Sequence, residues 1–419
     1  MVSIAVIGGG VIGVCCALQL QQRGHKVTVI ERNAVGEGAA WASCGFIASS
    51  EVVPLSRPGT FRKIPGWLMN PTGPLAIRPA SLPGLLPWML RFAGNARPQR
   101  MRYIAEHLSP LALRARADFD TMLSNDRLQG LIGDKPVIEV YDTEAELAHE
   151  RPYHDIRRAQ GFSIDEISGA EAAELEPALA QDFARAAVFN DWRAVVDTRR
   201  FVSAISEAFV ANGGSILRDE VLEIQRNEQA ITGLRLRSGD SCDADQFVLA
   251  AGAWSAPLAM QLGLALPIAA LMGYQTMVTD PQFSMQHGVI YAAGGFGITP
   301  YEQGIGIAGT IEFAALDASP NYQRARILVK KARRVVPGLT PESSVERVGR
   351  RPFCPDTLPI ISRAQGLSNL VLATGHGQLG ITLGATTGLL VAQIIGAEPS
   401  AVDLAAYRHT RFQGQANAG

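Results

Sequence analysis

Gly8, Gly10 and Gly13, close to the start of the chain, have the spacing with which a polypeptide holds a dinucleotide. They stand in Ile4-Ala5-Val6-Ile7-Gly8-Gly9-Gly10-Val11-Ile12-Gly13. The first glycine allows a tight turn, the second leaves bare backbone for a pyrophosphate, and the third lets a helix pack closely on a strand. A helix opening at Val11 and Ile12 would turn unpaired N–H groups and the positive end of its dipole toward the phosphates. Glu31 lies where ribose hydroxyls are bound and would repel a 2′-phosphate, so the nucleotide is FAD or NAD rather than NADP. Arg32, next to it, is counted with the same contacts.

These residues need a strand, a helix and a second strand to position them, and the local sequence supplies all three. An apolar strand precedes Gly8, Gly24 stops the helix, and Lys26 to Ile30 forms the second strand. Residues 36 to 50 are small and irregular, suited to pressing backbone against a flat ring. From Pro54 to Pro98 stand nine of the 24 prolines, a density that excludes a long regular element and predicts a surface excursion with short helices. Its Trp, Leu and Met residues either pack on the rest of the protein or form an exposed patch for a membrane or partner. Helices are predicted over 109–123, with Pro110 in the first turn, over 168–175, over 198–212 and over 382–395. Strands are predicted at 137–141, 215–217, 220–225, 233–237, 245–251 and 369–374, with antiparallel strands across 270–315.

Composition excludes several classes. With 47% hydrophobic and 18% charged residues, the 419-residue chain is well cored, and a net charge of −1 without a basic block argues against nucleic acid as a partner. Five scattered cysteines without CxxC read as reduced, mostly buried thiols, and the histidines lack ligand spacing. Pro152 is expected to break any helix between His149 and His154, so no metal is expected. Met1 leaves no room for a cleavable leader before the first strand, and no uncharged run is long enough to span a bilayer. The expected location is the cytoplasm, with attachment to the cytoplasmic face of the inner membrane as an extension of it.

Three apolar strands run into glycine, at Ile7-Gly8, Ala251-Gly252 and Thr374-Gly375. Together with Pro74-Leu75-Ala76-Ile77-Arg78-Pro79, Ala251-Gly252-Ala253-Trp254-Ser255 and Gly375-His376-Gly377-Gln378-Leu379-Gly380, this layout resembles the flavoprotein superfamily of D-amino-acid oxidase, glycine oxidase and sarcosine oxidase. Within it, the chain looks most like the bacterial D-amino-acid dehydrogenases. The resemblance covers nearly the whole chain. It implies an α/β fold with a discontinuous Rossmann-like FAD-binding domain (1–50, 180–260 and 345–400). Into that domain is inserted an α+β substrate domain on an antiparallel sheet (51–179 and 261–344). It also implies oxidation of a C–N bond beside a carboxylate by hydride transfer from Cα to a non-covalent FAD, with electrons passed to a quinone-type acceptor or respiratory chain. Where sarcosine oxidases carry a flavin-linking Cys several residues before Pro-Asp, this chain has Arg350, with Cys354 abutting Pro355-Asp356.

The resemblance places Arg351, in Gly349-Arg350-Arg351-Pro352-Phe353, as the clamp on the substrate carboxylate, with Arg350 as the alternative. A planar guanidinium matches a carboxylate and would align the Cα–H bond. Tyr274 is expected to line the substrate cavity, and Tyr301 and Trp192 are weaker candidates. His376 is a candidate for proton transfer or for a main-chain role. Ser43, Cys44 and Gly45 are expected to face the flavin from one loop. Gly375, Gly377, Gln378, Leu379, Gly380, Ile381 and Thr382 wrap it from the other. Gly252 closes one strand end, and the backbone of Val221 holds the adenine. Asp191-Trp192-Arg193-Ala194-Val195 departs from the dehydrogenase pattern, so the substrate class stays open between D-amino and cyclic imino acids. An oxygen-using glycine, sarcosine or hydroxyproline oxidase, or a non-catalytic dinucleotide-binding subunit, are the other readings.

Overall fold

A computed structural model describes residues 1–415 except 59, 71, 125–127, 280–282 and 341–342. Its first sheet has six strands in the order 360–363, 370–374, 246–249, 3–7, 26–30, 215–217, all parallel except the first. The Ser3–Ile7 strand shows why its sequence is apolar without alternation. Ile4 and Val6 enter the core on one face, and Ala5 and Ile7 enter the core on the other. A parallel strand buried on both sides has no polar face to show.

The strands ending at Gly8, Gly252 and Gly375 are neighbours in this sheet, so the three glycine junctions lie side by side. Each of these glycines has positive φ (107°, 55° and 76°), a conformation most side chains resist.

Two helices cover one face. Val11–Gln22 follows the glycine turn, and Gly380–Gly396 follows the last strand of the parallel set. Gly384 and Gly388 let them touch, since a Cβ on Gly388 would stand 2.7 Å from the Cys15 carbonyl oxygen and one on Gly384 3.1 Å from its sulfur. Val11 lies beside Gly380 and Gly384 while Gln19 lies beside Gly388, so the helices run parallel with their N-termini together. Cys15 and Cys16 are fully buried here, and burial drives both thiol pKa values far up, leaving packing as their role.

The second sheet is large and mostly antiparallel, running 343–353, 269–279, 304–313, 296–301, 288–291, 137–141, 185–189, 164–168, with Leu75–Ile77 added to 304–313. Its membership moves the expected boundaries. Arg185–Phe189 and Ser343–Phe353 pair here, though 180–260 and the part after 345 were assigned to the nucleotide side. Conversely, the helices Pro98–Ala112 and Ala115–Met122 bury Ile104, Leu108 and Phe119 in the core shared with Val14 and Leu383.

Three proline expectations also change. Pro110 closes the Pro98–Ala112 helix in its last turn, and a separate short helix follows. Pro152 lies inside a continuous Glu144–Ala159 helix. Leu82–Gly94 is a 13-residue helix despite Pro83 and Pro87. Pro83 falls in the first turn, where no N–H is needed, and the cost of Pro87 is offset by buried Trp88. Trp88 stacks on Phe92 at 5.0 Å and donates from Nε1 to the Phe353 carbonyl at 3.1 Å.

Candidate active site

A cavity of about 500 Å³ lies where the parallel strands end and reaches the large sheet. Of the residues singled out in the sequence, Gly8, Gly10, Val11, Ile12, Glu31, Arg32, Ser43, Val221, Gly252, Arg350, Arg351, His376, Gly377, Gln378, Gly380 and Ile381 line it.

At the nucleotide end the wall is mostly backbone. Gly10 has extended φ and ψ, and a Cβ there would meet nothing within 4 Å, so the main chain is bare toward the cavity. Gly13 carries no side chain for a different reason: a Cβ would stand 1.8 Å from the Gly8 carbonyl oxygen. The first turns of both packed helices open onto this space without an acidic side chain to cover their N–H groups. Glu31 is pinned, with Oε2 accepting the Gly9 N–H at 2.7 Å and Oε1 the Asn33 N–H at 2.8 Å. Each oxygen keeps a lone pair for a further donor. Beyond it Arg32 lies 3.8 Å from the Trp254 ring centroid, and Val221, Leu222 and Leu258 make an apolar wall.

At the other end the wall is side chain. Arg350 and Arg351 are adjacent on the Ser343–Phe353 strand but have opposite fates. Arg350 donates from Nε to the Leu316 carbonyl and from Nη2 to the Ala318 carbonyl, both at 2.8 Å. Arg351 packs its guanidinium over Gly273 of the neighbouring strand, where a Cβ would stand 2.4 Å from Cζ. Arg351 has no hydrogen bond or ion pair to any described residue and faces the cavity. Burial lowers its pKa, with the Cys44 thiol opposing, yet a guanidinium stays charged. A half-buried cation without a partner among the described residues is costly, and that makes it a site for an anion.

His376 sits in the cavity wall with Nε2 at 2.9 Å from the Thr387 hydroxyl and Nδ1 without a partner among the described residues. Burial pushes its pKa down to about 3, so the ring is neutral and too weak a base for proton transfer near neutrality. Its backbone forms a bridge with Phe353, tying this turn to the arginine strand.

Tyr274 does not line the cavity. It is buried on the far face of its strand with Met272, donates to the Glu312 carboxylate and accepts the Asn321 N–H at 3.0 Å. Cys44, Gly45, Gly13, Gly375, Leu379 and Thr382 also stand behind the lining. Cys44 lies near Arg351 with Sγ 3.5 Å from the Ala308 carbonyl, and burial pushes its thiol up to about 11. Gly45 is enclosed by Tyr301, Thr198 and Val195, and Gly375 by the Cys354 sulfur. Leu379 caps the last long helix, and Thr382 Oγ1 accepts the Ala48 N–H at 2.9 Å. Tyr301 donates to the Ser43 carbonyl at 3.2 Å, and Trp192 donates to Ser50 Oγ at 2.6 Å from within a stack on Phe189. Cys354 is buried and outside the lining, its thiol pushed up to about 12.

Three contributors were not assigned from sequence. Trp254 lies in a motif already noted, where an aromatic after a strand-ending glycine was the available signal. Glu220 lines the cavity and is 3.6 Å from Arg32. Gln275 donates from Nε2 to the Ser43 carbonyl at 2.7 Å, a second anchor on that loop with no local sequence signal.

The residues present fit a flavin dinucleotide: bare backbone at Gly10, two helix N-termini, a carboxylate with spare lone pairs, and an unpartnered ring nitrogen on His376. Comparison with known proteins agrees. Residues 3–394 match the family described as DAO, FAD dependent oxidoreductase. A protein named D-amino-acid oxidase from Bradyrhizobium diazoefficiens is 29% identical, with 98% of each chain covered. One named D-amino acid dehydrogenase 2 from Pseudomonas aeruginosa is 30% identical, with 96% of each covered. Glycine oxidase from Geobacillus kaustophilus superimposes with a TM-score of 0.78 at 25% identity, covering 98% of both chains.

Proposed function

Because this chain belongs to the DAO family of FAD-dependent oxidoreductases, we propose that it oxidises the C–N bond of a D-amino acid or cyclic imino acid to the imine. The observation that carries this reading is Arg351, a cation facing the cavity with no hydrogen-bond or ion-pair partner among the described residues. FAD, held non-covalently, supplies the hydride acceptor when bound.

The chain's own residues then have positional work. Arg351 takes the substrate carboxylate in a two-pronged contact, fixing the orientation of Cα. Arg350, committed to Leu316 and Ala318, braces the strand that presents it. Gln275 and Tyr301 converge on the Ser43 carbonyl and hold the loop at the cavity edge. The Cα hydrogen leaves as hydride, so a substrate amine that arrives neutral needs no side chain to take a proton, consistent with a neutral His376 and a protonated Cys44. Imine hydrolysis follows in water. A thiol link through Cys354 has no support, since that sulfur is packed against Gly375.

The electrons pass to a quinone-type acceptor, a reading supported by the relatives named dehydrogenases. The relative named D-amino-acid oxidase and the glycine oxidase structure favour a second reading, oxygen as acceptor. Anaerobic addition of a panel of D- and N-substituted amino acids to the purified yellow protein tests the proposal. The visible flavin absorbance is expected to bleach with one class of them. Flavin that stays oxidised with every member would end it, and stoichiometric peroxide in air would select oxygen over quinone.

A further inference from the structure

We propose that the outer face of the Leu82–Gly94 helix docks this enzyme on an anionic lipid bilayer. The inner face of this helix is spent on the protein, with Trp88 buried and Leu85, Met89 and Phe92 packed in the same cluster as Phe313 and Phe353. The outer face carries Leu82, Leu86 and Leu90, spaced by four and therefore in one stripe, with 38%, 52% and 65% of their surface exposed. The preceding helix of the same excursion ends on Leu68 and Met69, 45% and 84% exposed. A stripe of large exposed apolar side chains on one helix face marks an interaction surface rather than ordinary exterior.

Charge selects the partner. Between Glu51 and Glu106 the sequence holds eight arginines and lysines and no acidic residue, within a chain of net charge −1. Arg57 and Arg78 are consumed internally by Glu150 and Glu312. Arg91 in the last turn of the leucine helix, and exposed Arg97 and Arg102 at the start of the next, form no ion pair with a described residue. An apolar stripe beside uncompensated arginines matches a bilayer surface, which offers acyl chains to the leucines and phosphates to the guanidinium groups. A second copy of this chain is a poorer match, because a two-fold contact sets the same arginines against each other. The contact is peripheral, since no helix among the described residues is long and apolar enough to cross a membrane.

Co-sedimentation of the FAD-loaded full-length protein with phosphatidylcholine vesicles, with and without phosphatidylglycerol, tests this. No substrate is present, so the result is independent of the reaction assigned above. Binding is expected only to the anionic vesicles, weakening as salt rises. Leu86→Asp/Leu90→Asp and Arg97→Glu/Arg102→Glu should each reduce binding at least about tenfold. Both should keep wild-type turnover with a soluble dye acceptor. Three outcomes would overturn the proposal: no binding of wild type at low salt, equal binding to both vesicle types, or undiminished binding by both variants. A concentration-dependent dimer abolished by the leucine variant, without vesicle binding, would give the face to a second copy instead.

Discussion

The two ends of the cavity present different chemistry to whatever fills them. At the nucleotide end the facing groups include main-chain N–H groups at two helix starts, bare backbone at Gly10 and one carboxylate held by two amides, with Arg32, Glu220 and Trp254 beyond them. At the substrate end they are side chains from the large antiparallel sheet, and neighbours there differ sharply: Arg350 is bound to two carbonyls and Arg351 to no described residue. A backbone site is made by where the chain turns, so its specificity is for a common cofactor. A side-chain site depends on which face of a strand each residue takes, so it can change substrate without changing the fold.

The sharpest way to break this contrast is at the glycines. Gly13→Ala sets a Cβ against the Gly8 carbonyl oxygen, and neither partner is a side chain that can swing away. The variant is expected to lose at least about 2 kcal/mol of stability and to purify without flavin. Gly10→Ala points its methyl into the cavity from an ordinary extended conformation. It should leave the melting temperature of the flavin-free protein unchanged while weakening FAD binding about tenfold or more. Flavin content and thermal unfolding read both. A Gly13→Ala protein that is fully yellow and equally stable would remove the close-packing account of the turn.

That contrast also explains what was legible in the sequence. Gly8, Gly10, Gly13 and Glu31 announce themselves because a turn and a helix start are local events, written in consecutive residues. The glycine-ended strands at 246–249 and 370–374 were readable for the same reason. Tyr274 was misplaced because its role depends on strand parity. The pairing of Ala269–Thr279 with Gly304–Phe313 shifts register between Gly273 and Tyr274. Gly273 lies under Arg351 on one face of the strand, while Tyr274, next in the alternation, turns to Glu312 on the other. Neither that irregularity nor the anchoring of Ser43 by Gln275, 232 residues away, leaves a trace in neighbouring sequence. The prolines misled in the opposite way. Pro87 and Pro152 forbid helix by local rules, and tertiary burial of Trp88 and of Tyr153 and His154 overrides them.

A smaller effect, confined to the substrate end, should separate the two arginines. Arg351→Ala is expected to lower kcat/KM by about 100-fold or more, the loss of a charge-assisted pair to the substrate, with FAD still bound. Arg350→Ala loses two hydrogen bonds to the 316–318 loop and should cost about 1–2 kcal/mol of stability with kcat/KM within about threefold. Steady-state kinetics on the substrate found by bleaching decide it. Equal losses in the two variants would mean that the clamp is shared or reversed.

The finest discrimination concerns His376, which belongs to both ends: its backbone bridges to the arginine strand and its ring to the last long helix. The folded protein holds the ring neutral with a pKa of about 3. An unfolded chain takes up a proton near pH 6.5. Below that pH the unfolded state binds a proton that the folded state refuses, so the contribution of this residue to stability is complete above pH 6.5. It is lost as pH falls toward 3, at up to about 1.4 kcal/mol per pH unit. His154, lowered to about 4 by burial, adds to the same limb. His376→Gln can still reach Thr387 but does not titrate. Denaturant unfolding between pH 7 and pH 4 should therefore show a shallower acid slope in the variant, whatever its stability at pH 7. The pH–rate profile between pH 6 and pH 9 should keep its shape, because a group neutral throughout that range contributes no inflection. Parallel stability slopes, or a vanished kinetic inflection, would return His376 to proton transfer and make the substrate end depend on a base as well as on a clamp.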